Sequence, residues 1–224
     1  MDSTKHPARY TDALLPVFEE MLQGCKTVLD PFAGTGKIHN LHFKTTGIEI
    51  EPEWANMNEN TLIGDATNLQ FANCEFDAIC TSPTYGNRMA DCHNAKDGSI
   101  RNTYTHKLGR QLNKNNSGKM QWGEDYRVLH IKAWKECFRV LKNDGVFILN
   151  FKNHIRNGKL IDVFSWHIKE LIEIGFMLEE VKQVKSNGNG FGQNWQLRTG
   201  FEFVAKLRKP NAFEKSKASG QKNI

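Results

Sequence analysis

Val28-Leu29-Asp30-Pro31-Phe32-Ala33-Gly34-Thr35-Gly36 leaves a short apolar run, turns on two glycines and leads into Lys37-Ile38-His39-Asn40. A glycine turn between a buried strand and a helix lets the backbone of an α/β sheet approach a bound nucleotide or nucleoside. Two versions of that turn fail here. A phosphate-cradling loop needs GxxxxGK followed by Ser or Thr, but Pro31 stands at the first glycine and Ile38 follows Lys37. A dinucleotide fingerprint needs a third glycine at position 39, which is His39. A turn that holds a nucleoside remains.

Outward from the turn, Glu49 lies nineteen residues after Asp30, in Gly47-Ile48-Glu49-Ile50, the spacing at which an acid meets ribose hydroxyls. Asp65, in Ile63-Gly64-Asp65-Ala66, is placed to accept from an adenine amino group. Each acid alone reads as a solvated turn residue; three in register after three successive strands read as one site. Strand-like runs fall at 27–29, 47–50, 62–63, 76–81, 146–151, 177–185 and 201–206, and helical spacing at 14–22, 54–60, 126–141 and 163–174. Such alternation predicts an α/β fold, a mostly parallel seven-stranded sheet with helices on both faces. Gly145 is expected to end the 126–141 helix in the left-handed region.

The chain has 224 residues, 39% of them hydrophobic, with 30 Lys and Arg against 25 Asp and Glu, a formal charge of +5. That length suits a single domain over 1–208 with loop insertions, followed by a flexible basic tail at 209–224. No run of eighteen apolar residues exists, which excludes a membrane-spanning helix. Met1 to Ala8 lacks the apolar stretch of a secretory leader, so a cytoplasmic protein is expected. Cys25, Cys74, Cys80, Cys92 and Cys137 form no CxxC pair; they read as reduced thiols, and no metal is expected. Charge is uneven: residues 1–81 carry 5 basic and 12 acidic groups, and residues 82–122 carry 7 basic and 2 acidic. The basic stretch suits a polyanionic partner.

Two polar stretches, 86–122 and 186–200, interrupt the alternation, and loops of that length are commonly lids or binding loops. The first carries Arg88, Lys96, Arg101, His106, Lys107, Arg110, Lys114 and Lys119, interleaved with Tyr104 and Trp122, a pattern for a phosphate track with base stacking. The second adds amides with Trp195 and Arg198, which can read base edges. Expected nucleic-acid contacts are Arg88, Arg101, Lys107, Arg110, Trp195 and Arg198; the plain alternative is two solvated loops.

The 76–81 run ends in Thr81-Ser82-Pro83-Thr84-Tyr85-Gly86-Asn87-Arg88. Together with Asp30 to Gly36, this resembles the amino-methyltransferases of nucleic acids, the DNA adenine-N6 and cytosine-N4 methylase superfamily, whose signature is Asp, Asn or Ser followed by Pro-Pro and Tyr or Phe. Residues 116–123 and Asn153-His154-Ile155-Arg156 bring the resemblance closest to small stand-alone members from bacteria and phages. It covers the catalytic core from about Lys26 to Phe151. It implies a Rossmann-like class I methyltransferase fold and S-adenosyl-L-methionine as cofactor. Implied cofactor contacts are Tyr10, Asp30, Pro31, Phe32, Gly34, Gly36, Glu49, Ile50, Asp65 and Ala66. In catalysis, the Ser82 side chain and the Pro83 carbonyl would accept protons of the target amine, and Tyr85 would stack on the extruded base. Thr84 departs from the family's second proline.

Methylation at carbon 5 of cytosine is set aside, because it needs a cysteine after the proline, where Thr84 stands; Cys80 reads as core. The expected activity is methyl transfer to cytosine N4 or adenine N6 in DNA. A base in RNA, or an inactive cofactor-binding platform for nucleic acid, are the alternatives.

Overall fold

The computed structural model describes residues 11–87, 103–186, 200–211 and 213–214, apart from the side chain of His106. Nine strands follow in chain order: Thr27–Asp30 (β1), Lys44–Glu49 (β2), Thr61–Ile63 (β3), Phe76–Thr81 (β4), Leu141–Phe151 (β5), His154–Arg156 (β6), Lys159–Ile161 (β7), Met177–Lys185 (β8) and Phe201–Arg208 (β9). The helices are Leu15–Met21 (α1), Pro52–Ala55 (α2), Tyr104–Leu108 (α3), Glu124–Val140 (α4) and Val163–Ile174 (α5). Seven strands form one sheet in the order β3-β2-β1-β4-β5-β9-β8, in which only β9 runs against its neighbours. This is the predicted sheet. The separate β6–β7 hairpin had no sequence prediction.

Central strands covered on both faces read as unbroken apolar runs, since neither face meets water. Val28 and Leu29 of β1 and Ala78, Ile79 and Cys80 of β4 are fully buried. On one face Trp134, Cys137 and Val140 of α4 and Leu171 of α5 pack on Leu29, Ile79, Phe147 and Phe151. On the other, Leu14, Phe18 and Leu22 pack on Val28, Cys80 and Ile148. The crossover from β1 turns back after Asp30, and the crossover from β4 leaves Ser82 to Gly86 at the same sheet edge.

Three local expectations change. The helix predicted at 54–60 is the single turn Pro52–Ala55, and the chain then folds over itself where the Asn58 side chain accepts the Asn60 N–H (2.9 Å), a bond that competes with helix. The segment after Gly36 makes one 3-10 turn, Lys37–Asn40. Gly145 is not the left-handed residue: α4 passes into β5 through an extended Leu141, and Asp144 takes the positive φ of 59°. Glycine is required at 145 for space, because a Cβ there would lie 2.8 Å from the Leu141 side chain and the Lys142 carbonyl.

The packed chain also runs past the boundary expected at 208. Arg208 pairs with Glu179, Asp144 and Glu214, and Lys209 is buried. The Lys209 ammonium donates to the carbonyls of Phe138 and Leu141 (2.6 Å each) and lies 4.8 Å from the Phe138 ring centre. A cation thereby meets carbonyls at the junction of α4 and β5, where the dipole of α4 favours positive charge. Lys209→Ala should cost about 1–3 kcal/mol, the range for orphaning buried polar groups, in urea unfolding; unchanged stability would show that water replaces the ammonium.

Candidate active site

The carboxyl ends of β1, β2 and β4 surround a cavity of about 290 Å³. Asp30 sits beneath it. Its Oδ1 accepts the Phe32 N–H (3.0 Å) and the Thr81 hydroxyl (2.6 Å), which ties the turn after β1 to the end of β4. Gly34 and Gly36 have φ of 56° and 78°, which side-chain-bearing residues rarely adopt. The Gly34 N–H donates to Glu49 Oε2 and the Glu51 N–H to Glu49 Oε1, both at 2.9 Å. Asp65 Oδ1 accepts from the N–H and hydroxyl of Thr67, and its Oδ2 from the Asn115 amide (2.8 Å). Burial pushes Asp30 up to about 6 and Glu49 up to about 7, against the pull of these hydrogen bonds.

Of the predicted cofactor residues, Pro31, Phe32, Gly34, Glu49, Ile50, Asp65 and Ala66 line the cavity. Asp30 and Gly36 do not form its wall; they shape the turn. A Cβ at Gly36 would lie 2.6 Å from the ring of His39, which bridges the hydroxyls of Thr45 and Thr61 at 2.8 Å each. The residue that breaks the dinucleotide pattern thus has a structural place. Tyr10 lies outside the described residues.

Ser82, Pro83 and Tyr85 line the opposite wall. Two residues that the sequence did not single out complete it. Asn150, fully buried near the end of β5, donates to Ser82 Oγ (3.0 Å), Tyr85 Oη (3.2 Å) and Glu202 Oε2 (2.8 Å). Glu202, in β9, also accepts from Tyr85 Oη at 3.3 Å. Asn150 Oδ1 is buried with no hydrogen-bond partner among the described residues. Burial, with the Glu202 carboxylate beside it, holds the Tyr85 phenol well above its ordinary range, so it stays protonated. Their signal in the sequence was a lone polar residue inside each apolar run, Asn150 before Phe151 and Glu202 between Phe201 and Phe203.

Thr84, where the family has its second proline, is held from two sides. Its hydroxyl donates to Ser117 Oγ and its carbonyl accepts from the Tyr126 phenol, both at 2.7 Å. Behind it the Trp134 indole N–H donates to His167 Nδ1 (3.0 Å), which leaves the ring proton on Nε2, 3.1 Å from Tyr126 Oη. Each donor in this buried chain has one acceptor only when His167 is neutral. Burial, with His130 nearby, lowers the His167 pKa well below its ordinary value and keeps it so.

The expected phosphate track at 86–122 is, where described, folded over the cavity. Tyr104 is buried edge-on against Trp54 (centroids 5.1 Å apart), and both line the cavity. The Asn113 N–H and the Asn116 amide donate to Glu51 Oε1 (2.8 Å each), and Arg110 pairs with Glu51 and Glu53. Arg110 therefore meets acids of this chain, because the basic segment folds onto the acidic one. Lys107 is half-buried on α3. Arg88, Arg101, Trp195 and Arg198 lie outside the described residues. Among the described residues, no three His, Cys, Asp or Glu side chains group as a metal site, and no helix is long and apolar enough to cross a membrane.

The sheet order and the cavity at its carboxyl edge are those of S-adenosylmethionine-dependent methyltransferases. The chain aligns with a TehB-like S-adenosylmethionine-dependent methyltransferase from Corynebacterium glutamicum (TM-score 0.52, 16% identity, 90% of each chain). It also aligns with a putative methyltransferase from Bacillus halodurans (0.55, 16%, 89% of this chain and 99% of that one). A third is the N-methyltransferase NodS from Bradyrhizobium japonicum (0.53, 13%, 88% and 93%). These likenesses establish the fold. Residues 76–223 match the N6/N4 DNA methylase family model, and the chain belongs to that family of methyltransferases. No curated protein sequence matches it.

Removing the Arg110 guanidinium leaves the buried Glu51 carboxylate without its cation. In Arg110→Ala, amide exchange across 103–120 should rise roughly tenfold or more while α4 and α5 keep their protection; equal exchange in both proteins would show that the asparagines alone hold this segment.

Proposed function

We propose that this methyltransferase moves a methyl group from S-adenosyl-L-methionine to the exocyclic amine of a base in DNA, cytosine N4 or adenine N6, extruded into the cavity. The observation that carries the proposal is one cavity with two unlike walls. Glu49 and Asp65 stand on one, with Phe32, Ile50 and Ala66 beside them; Ser82, Pro83, Tyr85 and Glu202 stand on the other. A nucleoside presents a diol, a flat apolar ring and an amino group, and the first wall matches all three. The Asn115 amide, donating to Asp65 Oδ2, already marks where an adenine amino group would donate.

When bound, the cofactor supplies an electrophilic methyl on a cationic sulfonium. The chain's own groups do the rest. Glu49 accepts from the ribose hydroxyls and Asp65 from the adenine amine. The target amine is a poor nucleophile because its lone pair is delocalised into the ring. Acceptance of its two protons by Ser82 Oγ and the Pro83 carbonyl holds the nitrogen so that the lone pair points at the methyl. The nitrogen–carbon bond would form as the methyl–sulfur bond breaks, so that the sulfur leaves as a neutral thioether and the positive charge passes to the nitrogen. The Glu202 carboxylate, linked to Ser82 through Asn150, offsets that charge and is an anion on the same wall toward which the surplus proton can leave. Tyr85, packed on Phe151 (centroids 5.3 Å apart), presents its other side to an extruded base, and stacking offsets part of the extrusion cost. The two hydrogen bonds on Thr84 support a catalytic loop as well fixed as one with a second proline.

Labelled methyl transfer to duplex DNA, single-stranded DNA and tRNA tests the proposal. Transfer to DNA is expected; transfer to tRNA alone would make it an RNA enzyme, and cofactor binding with no transfer would make it a platform. Tyr85→Ala should lower turnover by roughly a hundredfold or more while cofactor affinity stays within a few-fold. Loss of cofactor binding in that variant would show instead that the tyrosine supports the cavity. Because burial raises Glu49 to about 7, it gains a proton as pH falls through that value, and the neutral acid accepts less well from two hydroxyls. Cofactor affinity measured calorimetrically should therefore fall between about pH 8 and pH 6, and Glu49→Gln should bind weakly with a flat profile; an unaltered slope in that variant would place the titration elsewhere.

A further inference from the structure

We propose that the β6–β7 hairpin is the element that docks duplex DNA and reads its major groove, an assignment that rests on the DNA reading above. The hairpin begins four residues after Asn150, so it rises from the sheet edge that carries Ser82. Its base is fixed. Asn153 Oδ1 accepts the Phe164 N–H (3.0 Å), its amide donates to Asp162 Oδ1 (2.9 Å), and the same oxygen caps α5 by accepting the Ser165 N–H (3.2 Å). Arg156 Nη1 reaches the Trp122 carbonyl at 3.5 Å, while the Trp122 N–H donates to the carbonyl of Gly86, next to Tyr85 (2.7 Å). The hairpin is thus linked through Trp122 to the catalytic loop.

Its tip is stiff. Asn157 and Gly158 have φ of 51° and 72°, two successive left-handed residues between the paired Arg156 and Lys159. That is the two-residue turn whose twist matches the strands it joins. Arg156, Asn157, Gly158, Lys159 and Leu160 are all exposed, Leu160 at 54%. From 152 to 161 the chain has three basic residues and no acid; Asp162, at the base, is engaged by Asn153. On the same side Arg127 is exposed with its guanidinium over the rings of Trp122 (4.8 Å) and Trp166 (6.0 Å).

A two-stranded ribbon of this kind has a natural counterpart. The major groove of B-form DNA admits a two-stranded β-ribbon, asparagine pairs with adenine edges, arginine and lysine meet phosphates or guanine, and an aliphatic side chain meets the thymine methyl. A-form RNA closes that groove to side chains, so the ribbon favours DNA. Within the segment 103–120, Arg110 does not compete for this role, since it pairs with Glu51 and Glu53.

The test uses the full chain with labelled duplex DNA and duplex RNA across a salt series. In Arg156→Ala/Lys159→Ala, duplex DNA affinity should fall roughly tenfold or more, and the slope of log affinity against log salt should shrink by about 2, one per lost phosphate contact. Cofactor affinity should not change, and Arg156→Lys/Lys159→Arg should keep the parent slope. Asn157→Gly preserves the left-handed turn and removes the amide, so it should alter which sequences are methylated in a random duplex pool. Parent-like affinity and slope in the double alanine variant, or parent binding to duplex RNA as tight as to DNA, would overturn the assignment. Binding and transfer are read separately: a parent that binds duplex DNA through the hairpin yet transfers no methyl to it defeats the catalytic reading alone.

Discussion

One carboxylate oxygen spans the two halves of the site. Asp30 Oδ1 takes the Phe32 N–H of the cofactor-side turn and the Thr81 hydroxyl at the threshold of Ser82, so the walls of the cavity share a single buried acceptor. Burial makes an acid expensive to ionise at that position. Both hydrogen bonds fall on Oδ1, while Oδ2 is buried with no hydrogen-bond partner among the described residues. From that point outward the contacts reinforce one another. Gly34 bonds to Glu49, Glu49 to the Glu51 amide, and Glu51 to the segment that covers the cavity.

The fold was legible because a doubly covered parallel sheet writes itself as apolar runs at regular intervals, and the two loops were legible because their chemistry is contained within a few consecutive residues. What the sequence hid depends on partners far along the chain. Asn150 meets Ser82, and Glu202 meets Asn150 and Tyr85, only because β4, β5 and β9 are neighbours in the sheet, an order that no local spacing reveals. Lys209 looked like the first residue of a solvated tail and is a buried cap for α4. Gly145 was assigned the right rarity for the wrong reason: the constraint is a close approach, and the left-handed residue is its neighbour Asp144.

The charge pattern also reads differently in three dimensions. The acidic first third and the basic segment after it suggested an enzyme half and a nucleic-acid half. Arg110 instead joins them, pairing with both Glu51 and Glu53. A net charge counted along the chain overstates what a polyanion would feel wherever opposite segments fold onto each other. The basic residues of the β6–β7 hairpin, by contrast, have no acid within their own stretch of chain.

The Asn115 amide on Asp65 has a consequence for selectivity among nucleosides. If Asp65 is the acceptor for an adenine amino group, a ligand enters by replacing a donor tethered in the same molecule, whose effective concentration is high. Only a ligand that brings its own N–H to that oxygen can make the exchange even. A nucleoside carrying a carbonyl at that position would set an acceptor against a carboxylate and leave Asn115 in place. On that proposal the Asn115 amide acts as an internal competitor, and a single hydrogen bond discriminates among ligands.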